Sequence, residues 1–482
     1  MISGFSSLIG AALFAALPLG YQLDISRTKV PTLDTLKSRV DVLSTLGFTE
    51  FQLYTEHTFK YSKHETVWRY SSPMTSEEIK ELDAYCESKG IELVPNQNSF
   101  AHFGRWLRHP EYNCLAEMPQ GGAVIKPWGN FVLPRPDTLN PTDPRSLELV
   151  EGLYDELLPC FKSKKINVGC DEALEIEFAD GTGRSHKEIA EKGAHRVYFE
   201  YLMKLHAACE KRGVSMMFWA DGFLKHPEMV KELPENVVGL DWGYEATTDF
   251  SRNGKAFREA KRKFRVCPGT SAWGSLFGRY DNMTQNVDNA FKAAEEYGAD
   301  GLLLADWGDG GHPQPWLVSL PALVYVSLKA KGVEAPTKAE VAAKIDEITG
   351  GKIGNELIEI GNLYKIAGGR QGNSTELYHM LVDSSSYQYR DGATKESVNV
   401  ATDRYYELRI KMNSQAEKKE IKTWVKEDLA LLDLLASAVQ YKNECGQVNN
   451  FRAFYEPAYR EIWLKQNRPG GLDESVTNVF GR

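Results

Sequence analysis

At 482 residues the chain is about three times the commonest domain size of roughly 150 residues. With 42% hydrophobic and 26% charged residues it can bury a sizeable core. Disorder throughout, collagen-like repetition and a small disulfide scaffold are therefore excluded. A formal net charge of −9 argues against a general nucleic-acid binder.

The chain begins with an apolar run, Leu8 to Leu19 (LIGAALFAALPL), of about the length of a signal-peptide core. No Lys or Arg precedes it, and it is too short to span a bilayer. Residues 1–19 are therefore expected to be a buried N-terminal segment, in a cytoplasmic protein with no membrane span. A periplasmic or secreted location follows instead if they act as a signal. Seven scattered cysteines with no CxxC pair point to reduced thiols rather than a disulfide framework.

From about residue 20, apolar runs alternate with helical patterns. Strands are expected at Gly20–Ile25, Glu50–Glu56, Glu92–Gln97, Ile166–Cys170, Ser215–Asp221, Val237–Trp242, Phe264–Thr270 and Gly301–Trp307. Amphipathic stretches separate them, among them Leu33–Leu46, Ser76–Lys89, Ser146–Leu157, Tyr198–Lys211, Gly254–Lys263 and Val287–Tyr297. Eight strands, each followed by helical pattern, predict a (β/α)8 barrel over residues 20–335. A doubly wound open sheet competes, but no glycine-rich phosphate fingerprint follows the first strand. Residues 336–482 read as a helical extension packed on the barrel, with helices at Lys338–Ile348, Leu377–Val382, Val398–Asn413, Lys418–Tyr441 and Phe451–Gln466.

In a barrel, reactive groups belong at the carboxyl ends of the strands. In order, these ends carry Asp24 and Arg27, then Glu56 and His57, then Asn96, Gln97 and Asn98 with His102 close behind. The fourth ends in Asp171-Glu172 and the fifth in Trp219-Ala220-Asp221. Trp242, Tyr244 and Glu245 close the sixth, Trp273 the seventh, and Asp306, Trp307 and Asp309 the eighth, with His312 beyond. Carboxylates and amides hydrogen-bond to hydroxyls, and Trp and Tyr faces stack on the C–H faces of sugar rings. A pocket walled by Trp219, Trp242, Trp273 and Trp307 with acids between them suits a carbohydrate. It suits a phosphate ester poorly, since only Arg27 brings a cation near. No His pair at ligand spacing supports a metal, and no cofactor is expected. Any one of these Trp alone would more often be core, and an Asp-Glu pair alone is usually solvated. Here the pair closes an apolar strand, where a charged pair needs a reason. His57, His64, His109 and His226 read as surface or structural residues, and Cys170 as a small buried one.

These residues resemble glycoside hydrolase family 20, the β-N-acetylhexosaminidases. Asn167-Val168-Gly169-Cys170-Asp171-Glu172 is similar to the family's His-x-Gly-Gly-Asp-Glu motif, and Leu23-Asp24-Ile25-Ser26-Arg27 to its Leu-Asp-x-x-Arg. His102 and Trp307-Gly308-Asp309 also fit, and Trp463 to Ser475 is similar to the tail of a helix-extended bacterial branch. The resemblance implies substrate-assisted retention, in which the 2-acetamido oxygen of the sugar attacks the anomeric carbon. By it, Glu172 is general acid and then base, and Asp171 orients the acetamido N–H and stabilises developing charge. Tyr244 would hold the acetamido oxygen, with Trp219, Trp242 and Trp273 walling the methyl. Arg27 would bind hydroxyls at the far side of the sugar, with Asp309 or Asp306 opposite, and His102 with Glu56 would support Glu172. Asn167 and Cys170 depart from the family motif, and its usual preceding α/β domain does not precede the first strand. The implied substrate is a terminal β-linked N-acetylglucosamine or N-acetylgalactosamine. Alternatives are a glycosidase for a sugar without an acetamido group, and a carbohydrate-binding protein without catalysis. Trp463 on the helical tail raises the expectation of a homodimer.

Overall fold

The computed structural model describes residues 17–27, 29–126, 130–178, 182–382, 387–416, 421–446 and 450–481. Most of the N-terminal apolar segment lies outside these residues. Eight parallel strands close a barrel: β1 (Leu19–Asp24), β2 (Glu50–Thr55), β3 (Glu92–Gln97), β4 (Lys165–Asn167), β5 (Ser215–Trp219), β6 (Val238–Trp242), β7 (Lys263–Cys267) and β8 (Leu302–Asp306). Neighbours in sequence are neighbours in the barrel, and β8 pairs with β1 from Leu19 opposite Leu302 to Leu23 opposite Asp306. The predicted (β/α)8 barrel is thus the fold, rather than an open doubly wound sheet.

The helices between strands bury one apolar stripe each, as their spacing requires. Leu33–Leu46 starts on Thr32, whose hydroxyl accepts from Thr35 N, and stops at Gly47, where φ is 86°. Ser76–Ser88 opens with a reciprocal capping box between Thr75 and Glu78.

Strand ends differ from expectation for local reasons. β4 was expected to run to Cys170 but leaves the ladder after Asn167, because Gly169 (φ 69°) and Cys170 (φ 74°) are left-handed. β7 stops at Cys267 rather than Thr270, since Pro268 has no N–H to donate to a ladder. β5 ends at Trp219, two residues before Asp221.

Several polar groups inside the barrel are matched to one another. Gln52 donates to Glu50 and accepts from both Asn96 and Asn167, while Arg265 lies 2.7 Å from Glu50. Asn167, which stands at the family's motif histidine, therefore sits below the pocket floor. Its own Oδ1 accepts from Gly169 N at 3.0 Å and starts the turn that carries the acids.

Helices Lys338–Thr349, Glu376–Val382, Lys395–Ala416, Thr423–Cys445 and Phe451–Gln466 follow the barrel and pack against it. Trp463 is buried within the chain, its indole donating to Arg468 O with the Lys29 ammonium over its ring. It therefore offers no surface to a second copy. All seven cysteines are unpaired. No helix among the described residues is long and apolar enough to cross a membrane.

Candidate active site

The carboxyl ends of the strands surround a cavity of about 340 Å³, in the size range of small-molecule sites. Arg27, His102, Asp171, Glu172, Trp219, Trp242, Tyr244, Trp273, Trp307 and Asp309 line it. Two expected residues are absent from the lining. Asp306 lies beneath, accepting from Tyr21 Oη at 2.6 Å and Thr270 Oγ1 at 2.7 Å, so its carboxylate is occupied in holding β8 to β1 and to the loop after β7. Glu56 lies behind Arg27, 3.4 Å from its Nε, and accepts from Tyr54 Oη.

The acidic pair is carried on a strained turn. Gly169, Cys170 and Glu172 all have positive φ, and a Cβ on Gly169 would lie 2.3 Å from Asn98 Oδ1. Left-handed backbone at two non-glycine residues is the kind of strain that clusters at functional sites. Neighbours hold the turn in place: Asn98 accepts from Cys170 N, Tyr198 Oη donates to Cys170 O, and Trp219 N donates to Gly169 O.

Around the pair, the charges drive the two carboxyls apart. Burial alone would raise the pKa of Asp171, but His102 Nε2 at 3.2 Å, together with Arg27, brings it below the usual aspartate range. Glu172 is raised above the usual glutamate range by burial, helped by the negative charge of Asp171 and opposed by His102 3.6 Å away. Burial works against a charged His102 too, yet the Asp171 carboxylate dominates and pushes its pKa up to about 10. At neutral pH the pocket therefore holds an ionised Asp171 and a protonated His102, beside a Glu172 whose hold on its proton is strengthened.

On the opposite wall, the rings of Trp242 and Tyr244 stack 5.2 Å apart, and Tyr244 meets Trp273 edge-on at 4.9 Å. Trp307 donates from Nε1 to Tyr244 Oη at 2.8 Å, which aims that hydroxyl's own proton elsewhere. The indole N–H groups of Trp219 and Trp273 are buried with no partner among the described residues. Arg27 is anchored by Asp24 at 3.0 Å, stands 3.5 Å from Asp309, and lies over the rings of Tyr54 and Trp307.

Three residues outside the expected set take part. Asn98 donates to Asp171 Oδ1 at 3.3 Å and to Tyr54 Oη at 2.9 Å. Asp221 accepts from Glu172 N and from Trp242 Nε1, both at 3.1 Å; burial and the two nearby acids push its pKa up to about 7. Both stand at strand ends, the signal that could have selected them. Asn373 lines the cavity from the helical region and carried no such signal. His57 and His312 are buried away from the cavity, and burial holds both below the usual histidine range. Among the described residues no group of three His, Cys, Asp or Glu is poised to hold a metal ion.

The family described as "Glycosyl hydrolase family 20, catalytic domain" matches residues 20–257. Human "Hexosaminidase D" is 22% identical over 251 residues, covering 51% of this chain and 48% of the human one. A "Beta-hexosaminidase" of Akkermansia muciniphila is 24% identical over 224 residues, 42% of this chain and 44% of that one. The matches thus span about half the length of these relatives, and they do not single out a bacterial branch. A Flavobacterium johnsoniae chitobiase structure superposes with TM-score 0.53 at 15% identity, over 95% of this chain and 77% of that one.

Proposed function

Since residues 20–257 belong to glycosyl hydrolase family 20, we propose that the chain is an exo-β-N-acetylhexosaminidase removing terminal β-linked N-acetylglucosamine or N-acetylgalactosamine. The observation that carries this is the adjacent Asp171–Glu172 pair, shifted in opposite directions at the mouth of a tryptophan-walled pocket. Two carboxyls with separated pKa values are what an acid step and a charge-stabilising step require of one site.

In this reading Glu172 gives its proton to the glycosidic oxygen as the bond to the anomeric carbon breaks. The sugar's acetamido oxygen attacks that carbon from the other face and an oxazolinium ion forms. Asp171 stays ionised, accepts the acetamido N–H and offsets its growing positive charge. Glu172, now a carboxylate, takes a proton from water as that water opens the oxazolinium, which restores both enzyme and anomeric configuration. His102, between the acids, helps keep Asp171 charged. Tyr244 binds the acetamido oxygen, with Trp219, Trp242 and Trp273 around the methyl. Arg27 and Asp309 bind hydroxyls across the ring. The seven unpaired cysteines support a cytoplasmic setting.

A panel of aryl β-glycosides with and without the 2-acetamido group tests the assignment. Turnover is expected only with the acetamido sugars, and a thiazoline mimic of the oxazolinium is expected to inhibit it. Glu172→Gln should lower kcat by about 10²–10⁴ while leaving binding of that mimic intact. Equal turnover of sugars lacking the acetamido group, or undiminished activity of the Gln variant, would overturn it.

A further inference from the structure

A second, smaller cavity lies between the barrel and the helical region, and none of its lining residues lines the sugar pocket. It measures about 50 Å³, against about 340 Å³ for the sugar pocket. That is room for a few waters or one small ion. Lys29 and Arg39 reach it from the barrel, Gln314 and Trp316 from the loop after β8, and Asp428 and Trp463 from the helical region.

The charges around this cavity do not cancel. Lys29 and Arg39 are both buried, and Asp428 is the one carboxylate among the lining residues. Its two oxygens already accept from Leu317 N and Gln466 Nε2, each at 2.8 Å. It forms no ion pair with either base among the described residues. An ammonium has three protons to donate, and Lys29 Nζ gives one to Gln314 O at 2.9 Å. Arg39 Nη2 donates to Gln466, but Arg39 Nη1 is buried without a partner among the described residues. The rings of Trp463 and Trp316 lie 5.0 and 4.1 Å from these cations. They soften the burial without supplying a countercharge.

The two bases show the strain of that imbalance. Burial lowers the Lys29 pKa to about 7 against the pull of Asp428 and Asp306, and Arg39 adds to the fall. Burial lowers Arg39 as well. Net positive charge held away from water is costly unless a counter-ion joins it. The walls also hold a set spacing, because Thr32 N donates to Gln466 O at 2.9 Å and Arg468 N to Val30 O at 2.8 Å.

We propose that this cavity binds one small monovalent anion, of the size of chloride, between the Lys29 ammonium and Arg39 Nη1. The inference concerns the joint between barrel and helices and stands apart from the hexosaminidase reading. Lys29 holds Gln314 O, and Gln314 Nε2 in turn donates to Trp307 O at 3.0 Å. An anion that keeps Lys29 charged therefore braces the loop that carries one wall of the sugar pocket. A cation is disfavoured there, since two bases face the space and the single acid is already occupied.

Two measurements on the unmodified protein test this, and a variant locates the effect. Crystals soaked in sodium bromide should show an anomalous bromide peak in this cavity, in contact with Lys29 Nζ and Arg39 Nη1. In solution, chloride is exchanged for gluconate, an anion too large to enter, at constant ionic strength. The melting temperature should rise with chloride and level off, by about 2–3 °C once chloride reaches about 100 times its Kd. In Lys29→Gln that chloride dependence should vanish, whatever the variant's own melting temperature. A cavity holding only water in the bromide crystals, or equal melting temperatures in chloride and gluconate, would overturn the site. So would a chloride dependence that survives Lys29→Gln. Should that variant fail to fold, the bromide crystals and the anion exchange still decide the matter.

Discussion

Asp171 and Glu172 are adjacent in the chain, yet they meet different surroundings: Asp171 is the more buried and the nearer to His102, while Glu172 is the more exposed. The pH profile of kcat/KM should show the consequence. In the proposed mechanism activity requires Asp171 ionised, so it falls on the acid side only as pH drops through the lowered Asp171 pKa. It also requires Glu172 protonated, so it falls on the alkaline side as pH rises through the raised Glu172 pKa. The result is a bell displaced outward on both limbs from ordinary carboxyl values. In Asp171→Asn the acid limb should disappear and kcat should drop on the order of 10²-fold or more; a change confined to KM would argue against its role. At this scale the sequence was partly legible. The acids were readable because a charged pair ends an apolar strand. Cys170 looked like a departure from a glycine, and its φ of 74° shows why glycine is the easier residue there. Asn98 and Asp221 were visible only as strand-end residues, without a role, because only folding brings them onto the turn that holds the pair.

At the scale of elements, the site is built by loops of unequal origin. Strand ends from β1 to β8 were readable as such, because the strands are buried on both faces and read as apolar runs. The segment from Gly368 to Thr375 was not readable, since nothing local marks a glycine-rich connection as part of a pocket. Its position comes from distant partners: the bidentate pair of Arg279 with Glu245, the Asn373 N–H to Glu245 at 2.6 Å, and the Thr375 N–H to Gly274 O. Asn373, at φ 48°, thereby lines the same cavity as Tyr244 and Trp273. Asn373→Gly removes the amide while tolerating that backbone angle. We expect kcat/KM to fall about tenfold, the value of one hydrogen bond to substrate, with an unchanged melting temperature. Full activity would show that the amide makes no contact with the sugar.

For the whole molecule, the barrel and the helical region meet through a buried polar seam. Arg39 donates to Gln466 and lies over the rings of Trp316 and Trp424, 4.1 and 4.9 Å away. Asp428 accepts from Leu317 N and from Gln466 Nε2, each at 2.8 Å. The packing of the two parts was legible from the Leu, Trp and Tyr content of the tail. The seam was not, because Arg39 and Asp428 each sit in helices that carry charge on every exposed face. Asp428→Ala strands the Arg39 guanidinium and two donors in the interior. It should cost on the order of 3 kcal/mol, read as a lower urea midpoint with an unchanged slope. A loss under about 0.5 kcal/mol would mean that the seam is already hydrated.

Glu474 pairs with Arg105, Arg468 reaches Val30 O and Glu78, and Asn373 enters the pocket, so residues from the last quarter of the chain complete surfaces begun in the first quarter. During synthesis the barrel strands all leave the ribosome before any of these partners does. At about 5–20 residues per second, a nascent chain spends several seconds with eight strands made and the pocket still open on one side. The wall that Asn373 supplies is therefore added last, and the pocket takes its full lining only once translation has passed that residue.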